Sequence, residues 1–406
     1  MLKRTWTTLV YCVAVVATFA TQTASAGDGF WRDLFSEQSD CIQFTATGEI
    51  LFIGRDSRVG GGTGAGVVNG PDSQRLGFNN ADFNHEFGYR LSMGIQGSDK
   101  RVEVIFSELG EWNWGERGSL SGGLSFDGGA GFPAGVNQLG PSTFFQPLFV
   151  ASLVAGDETD GLGPSIPALD PLPTYDSFYT SQMQDLQINV LENDSNRTLR
   201  VGMGYRNVQL DEIARTSLSG TYRGFDTGGA SGGLSSADLT NAGLTFLSGV
   251  DDGFQDQDAG PGDLLTLAYN GAANNDLNGF QFIADLCLVD RSRFNMTIIG
   301  KAGAYHNHAA GRVRETYTGI GPSTSVYGTA LSDTKDTVAF VGGVAVKVGW
   351  RLTERIELIG GYEGTFVSGV ALAPEQASGV ANGTYEVNTD GNVIVHGANF
   401  GLQLTY

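Results

Sequence analysis

Between residues 83 and 96 the chain reads FNHEFGYRLSMGIQ, and its side chains change character at every step. Phe83, His85, Phe87, Tyr89, Leu91, Met93 and Ile95 alternate with Asn84, Glu86, Gly88, Arg90, Ser92, Gly94 and Gln96. Successive side chains leave a β-strand on opposite faces, so a period of two means one apolar and one polar face. At about 3.3 Å per residue the segment spans roughly 46 Å, enough to cross a bilayer at a tilt. The pattern returns at 199–210, where Leu199, Val201, Met203 and Tyr205 oppose Arg200, Gly202, Gly204 and Arg206. It returns again at 280–288, with Phe280, Phe282, Ala284, Leu286 and Leu288 on one face. Further strands are predicted at 42–53, 101–109, 182–191, 294–305, 338–350, 355–366 and 393–406.

The connections between these strands are of two kinds. Gly97-Ser98-Asp99-Lys100, Asp290-Arg291-Ser292-Arg293 and Leu352-Thr353-Glu354 are too short to hold a helix and predict hairpins. The spans 55–80, 114–173, 211–276 and 371–392 are long and Gly-rich. Short turns at one end and long loops at the other are the asymmetry of outer-membrane barrels. With 60 glycines, 17% charged residues and 41% hydrophobic ones, the chain is too apolar for disorder and lacks the three-residue period of collagen.

Export is predicted from the first residues. Lys3 and Arg4 precede an apolar run from about Leu9 to Ala20 and then Ala24-Ser25-Ala26, the form of a cleaved signal peptide. The run is too short for the roughly 20 residues of a membrane anchor, the competing reading. The expected division is 1–26 signal peptide, 27–40 leader and 41–406 barrel. Loss of Lys3 and Arg4 takes the formal charge from −20 to −22, which disfavours nucleic acid as a partner. Cys41 and Cys287 remain in the exported chain, paired or free.

No stretch after the signal is apolar for long enough to be a transmembrane helix, so membrane insertion requires a closed barrel. The expected fold is all-β: a single antiparallel up-and-down transmembrane barrel of about 10–12 strands with long Gly-rich acidic loops. A secreted β-sandwich that buries the apolar faces between two sheets and acts as a surface binding or adhesion module is the alternative. In a barrel, the charges within strands must turn inward, because lipid would penalise each by about 2–4 kcal/mol near the midplane. Those are Arg90, Glu103, Arg200, Arg206, Asp285, Lys301, Lys347, Glu357 and Glu363. They line either an open polar pore or a lumen filled by mutually paired side chains, and 10–12 strands favour the filled lumen. An aromatic girdle is expected from Tyr89, Tyr205, Tyr305, Trp350, Tyr362 and Tyr406. Phe400, Leu402, Leu404 and Tyr406 at the chain end form the expected recognition strand for barrel-assembly machinery. Expected partners are therefore outer-membrane lipid, that machinery and small polar solutes.

Several stretches resemble the outer-membrane β-barrel porin family of planctomycete-type bacteria: GEILFIGRDS, ADFNHEFGYRLSMG, LRVGMGYRNVQLDE, NGFQFIADL, VAFVGGVAVKVGWRLTERIELIGGYEGTFVSGVALAPEQ and HGANFGLQLTY. The resemblance implies an outer-membrane barrel. It implies no substrate and carries over no functional residue.

No catalytic residue, cofactor or metal site is expected. There is no GxSxG elbow, HExxH, Walker loop or dinucleotide fingerprint in a supporting context. His306 and His308 share a strand face and could hold a metal if a carboxylate joined them, but a wet strand end is the preferred reading. Asp251, Asp252, Asp256 and Asp258, like Asp157, Glu158 and Asp160, read as solvated acidic loops rather than calcium sites.

Overall fold

The computed structural model describes residues 43–56, 78, 81–97, 100–120, 124–125, 137–138, 173–192, 198–221, 264–320, 325–381 and 384–406. Ten strands form its wall: β1 (Gln43–Asp56), β2 (Glu86–Gln96), β3 (Lys100–Ser119), β4 (Thr174–Glu192), β5 (Leu199–Thr221), β6 (Leu264–Asp290), β7 (Phe294–Ile320), β8 (Ser325–Arg351), β9 (Ile356–Val370) and β10 (Gly391–Thr405). Each pairs antiparallel with its sequence neighbours, and β1 pairs with β10 to close the ring. The predicted alternative of two stacked sheets is not what the chain forms.

The ladders fix the size of the ring. Directly opposed residues run from Gln96 through Arg101, Leu191, Gly202, Ile283, Lys301, Gly343, Thr365 and Val395 to Arg55 on β1. The β1 partner of Gln96 itself is Gln43, so one circuit is staggered by 55 − 43, or 12 residues. Ten strands with that stagger tilt by about 40° and enclose a cylinder about 20 Å across between backbones. Long side chains from opposite walls therefore meet at the axis.

Opposed residues share a face, so this circuit also defines the lumen side. The other side carries Phe44, Ile50 and Phe52 on β1, Phe87, Leu91 and Met93 on β2, Val201 and Met203 on β5, Phe280 and Phe282 on β6, and Phe400 and Leu402 on β10, all exposed. A continuous apolar belt of this extent is far beyond what a water-soluble surface carries and matches a lipid face. On β10 it runs from Leu404 to Ile394, ten residues or about 25 Å along the axis, the height of an outer-membrane apolar band. Tyr205 stands at its upper edge and donates to Asn278 at 2.6 Å, whereas Tyr89, which donates to Glu108 at 2.7 Å, and Tyr362, which bonds His396 at 2.7 Å, lie within the band with Phe87 and Phe366 beyond them. Trp350 and Tyr406 lie exposed at the short-turn edge. Phe282 is 72% exposed within the band; Phe282→Arg is expected to lower the free energy of folding into phosphocholine vesicles by about 2–4 kcal/mol, read from denaturant titration of refolding.

The three short connections are tight turns. Gly97 N donates to Lys100 O at 2.8 Å, Arg291 N to Phe294 O at 2.8 Å, and Leu352 N to Ile356 O at 2.9 Å. The strands are longer than alternation indicated. β5 continues to Thr221, β6 begins at Leu264, β7 continues to Ile320 and β3 to Ser119, so both ends of the expected loop 211–276 and the start of 114–173 are strand. Above the apolar belt the outer face meets water, and its residues become polar. Asn274 bonds Asp211 at 2.6 Å there, and Asn207 bonds Asp276 at 2.6 Å. Inside, buried apolar residues such as Ala214, Leu218, Tyr269 and Ala273 are mixed with polar Glu212 and Asn275, which weakens the period.

Three elements lie elsewhere than the sequence pattern placed them. Tyr305 is 2% exposed and faces the lumen, so it is not in the girdle; it is the even-numbered residues of β7, starting at Phe294, that face outward. The strand containing 83–96 starts only at Glu86, and Phe83, 4% exposed, turns into the lumen instead of joining the lipid face. The fourth long loop, 371–392, folds inward. The predicted signal and leader, Cys41, and both acidic loop clusters lie outside the described residues. Cys287 is a free thiol.

Candidate functional site: a stoppered lumen

The lumen is stacked in layers along the barrel axis. At the long-loop end it is filled by the segment that follows β9. Gly369 turns the chain inward with φ +77°, a conformation costly for residues with a Cβ. Ala371 to Ala377 are all buried, and Ala373–Gly379 forms a short 3-10 helix inside the barrel. Buried side chains from the wall clamp this stopper. Asn275 on β6 takes the backbone of Ala371 from both sides, accepting from its N–H at 2.7 Å and donating to its carbonyl at 2.8 Å. Asn307 on β7 donates to Asn275 and to the Gly369 carbonyl, both at 3.0 Å.

The stopper is also tied to itself. Gln376, fully buried, donates to the carbonyls of Leu372 and Asn388 and accepts from Tyr385 Oη and Asn388 N–H, at 2.8–3.1 Å. Two glycines form its seat on the wall. A Cβ on Gly271 would meet Ala373 O at 2.5 Å, and one on Gly311 would meet Tyr385 Oη at 2.0 Å.

Beneath the stopper lies a crossbar. Arg55 on β1 and Glu212 on β5 pair across the lumen with side chains 1% and 0% exposed. Arg55 stacks over the rings of Phe83 and Tyr179 at 4.9 and 5.2 Å and donates to Tyr179 Oη at 3.0 Å. Glu212 also accepts from Tyr179 Oη at 2.8 Å, Ser181 Oγ at 3.3 Å and the stopper's Ala373 N–H at 3.0 Å. Around this pair Leu51, Ile53, Phe78, Trp112, Leu210 and Leu372 form an apolar layer at 0–2% exposure. Trp112 reaches the lumen because β3 slips register between Leu109 and Trp112, and it donates to the Ile53 carbonyl at 2.9 Å.

Below the apolar layer is a polar chamber of 450 Å³ that extends to the rim residues Gln96, Asp290, Arg351 and Gln403 at the short-turn end. All nine charges predicted to face inward line it: Arg90, Glu103, Arg200, Arg206, Asp285, Lys301, Lys347, Glu357 and Glu363. They are largely paired. Arg90 joins Glu49 at 3.3 Å and also Glu363, spanning from β2 to β9. Arg206 takes Asp185 through Nε and Nη2 at 2.9 and 3.0 Å, Arg200 meets Asp285 at 3.1 Å, and Arg101 meets Glu103 at 2.8 Å. Glu357 accepts from Asn295. Lys301 on β7 reaches across to Gln187 on β4 at 2.6 Å.

Sequence reasoning missed Glu49, Arg101 and Asp185, although each lies in a strand it predicted; extending the period-two count through 42–53, 101–109 and 182–191 would have found them. It also missed Arg55, Glu212, Asn275 and Asn307, whose strand segments show no alternation. The stopper did leave a signal, the apolar run Val370-Ala371-Leu372-Ala373 inside a supposed loop.

Outside the barrel, His306 and His308 flank Asp336 at 3.5 and 2.9 Å, all exposed above the lipid belt. Among the described residues no group of three His, Cys, Asp or Glu is placed to hold a metal. Phe400, Leu402 and Tyr406 stand exposed on the lipid side.

No family model matches the chain, and no curated protein matches it. Among solved structures it is similar to the outer membrane protease OmpT from Escherichia coli, at 10% identity and TM-score 0.33, covering 91% of this chain and 98% of that one. The translocator domain of the autotransporter NalP from Neisseria meningitidis aligns at 8% identity and TM-score 0.30, covering 98% of each chain. A FadL homologue of Pseudomonas aeruginosa aligns at 10% identity and TM-score 0.22, covering 90% and 89%. Likenesses this distant do not bear on activity. The closed antiparallel ladder and its lipid-facing belt make the chain an outer-membrane-type β-barrel of ten strands.

Proposed function

We propose that the protein resides in the outer membrane as a closed, porin-like barrel with a passive role and no catalytic step. Small polar solutes pass only when the segment between β9 and β10 leaves the lumen. The observation that carries this reading is the inward-folded segment itself: residues 371–377 are buried in the barrel and clamped by Asn275, Asn307 and Glu212. The resemblance to the planctomycete-type porin family, the signal-like residues 1–26 and the terminal Phe400–Tyr406 strand support the same setting, with export and barrel-assembly machinery as the route and outer-membrane lipid as the surroundings.

The test is conductance across planar bilayers. Val370 and Gly391 are ladder partners, so residues 371–390 can be replaced by a two-residue hairpin turn without disturbing the wall. The full chain is expected to show no steady conductance and the shortened one resolved open steps. Steady, open-pore conductance from the full chain would contradict the proposal.

A further inference from the structure

The polar chamber holds two ammonium groups, Lys301 and Lys347, that no carboxylate reaches within hydrogen-bond range among the described residues. Lys301 has no ion pair among the described residues and bonds only the neutral Gln187 amide oxygen, at 2.6 Å. The nearest carboxylate to Lys347 is Glu49 at 3.7 Å, beyond hydrogen-bond range, and that carboxylate already serves Arg90. The Nε atoms of Arg101 and Arg200 are buried without partners. On the acidic side every chamber carboxylate but Glu357, which accepts from Asn295, has a cation partner among the described residues. Glu103 accepts from Arg101 and from Asn189 at 3.1 Å, and Asp185 accepts from Arg206 and from Gln187 at 2.6 Å. Asp285 Oδ1 is the one buried carboxylate oxygen of the chamber without a partner.

Two ammonium groups on adjacent strands share this 450 Å³ space, whose lining carries as many Asp and Glu as Lys and Arg. The mutual repulsion of the ammonium groups is what an anion bound between them would offset. We propose that the chamber binds a small oxyanion, a phosphate or a small polycarboxylate, entering from the short-turn end. Lys301 and Lys347 supply the charge, and Arg101 and Arg200 supply directed N–H donors. The site depends on the wall alone, so it is independent of whether the stopper moves.

The full chain, refolded in uncharged detergent micelles, would be titrated by calorimetry with inorganic phosphate and, separately, with citrate. Saturable one-to-one binding of either is expected, weakened at least about tenfold by Lys301→Met and by Lys347→Met, since each loses a charge-assisted contact. Lys301→Arg should keep binding. Arg314→Gln, on the exposed outer face above the belt, should leave it unchanged. Heat-modifiable gel mobility shows which variants are folded, and Lys301→Arg against Lys301→Met separates charge from packing. No saturable binding by the full chain at about 20 mM of either anion, or equal binding by the full chain and a folded Lys301→Met, overturns the proposal. Neither result alters the conductance expected of the stoppered barrel.

Discussion

Arg55→Ala should shift the denaturant midpoint of the refolded barrel sharply downward, by about 3–5 kcal/mol in stability. The loss comes less from the missing attraction than from what it strands: Glu212 would be left without its cation partner inside an apolar layer, 0% exposed at its side chain, and breaking one half of a buried pair is strongly destabilising. Glu212→Ala should cost as much or more, because the carboxylate also accepts from Tyr179, Ser181 and Ala373. Removing both charges is the informative control. In Arg55→Met with Glu212→Leu much of the loss should return, since apolar replacements of a buried pair are often neutral or better. The measurement is guanidinium unfolding in micelles followed by tryptophan emission, Trp112 being buried in the same layer. A single variant within 1 kcal/mol of the parent would mean that the crossbar is not desolvated as described.

The second large effect is expected at Asn275. Asn275→Ala removes both bonds to the Ala371 backbone and the bond from Asn307. Each buried backbone group left unpaired costs about 1–3 kcal/mol, so the stopper should lose about 2–5 kcal/mol of local stability. Because the ladder of the wall is untouched, the barrel itself should stay folded. Glu375 lies inside the stopper at 5% exposure; a Glu-specific protease should cleave after it in the variant and not in the parent. Gly311→Leu should act the same way from the seat side, where Tyr385 and Gln376 leave no room for a side chain. Unchanged resistance at Glu375 in both variants would show that the clamp and seat do not hold the segment in place.

How much of this was legible in the sequence depended on what each face of a strand meets. Where one face met lipid and the other the lumen, the period of two was visible, and it placed Arg90, Lys301 and Glu363 inward without a structure. Where the outer face met water and the inner face mixed polar with apolar residues the signal weakened. In Asn274-Asn275-Asp276, the outer residues meet water while Asn275 grips the stopper, and nothing in residue type separates them. Local departures defeated counting as well. The register slip in β3 turns Trp112 inward after the odd-numbered residues up to Leu109 have faced the lumen. Phe83 looks like the start of a strand because it keeps the alternation, yet the wall has not begun there and the side chain fills the core. The stopper was hidden for another reason. A Gly-rich stretch between strands reads as a surface loop, and only the apolar run 370–373 argued that it was buried.

Closure of the barrel in the outer membrane is open to one direct measurement. The full chain is expressed with its own first residues in a Gram-negative host, the envelope is fractionated, and gel mobility is compared with and without boiling. Recovery in the outer-membrane fraction, extractable only with detergent and with a band that shifts on boiling, is the predicted result. A water-soluble periplasmic product whose mobility is indifferent to heat would contradict it, because the exposed belt from Phe44 to Tyr406 would then have no lipid to cover it.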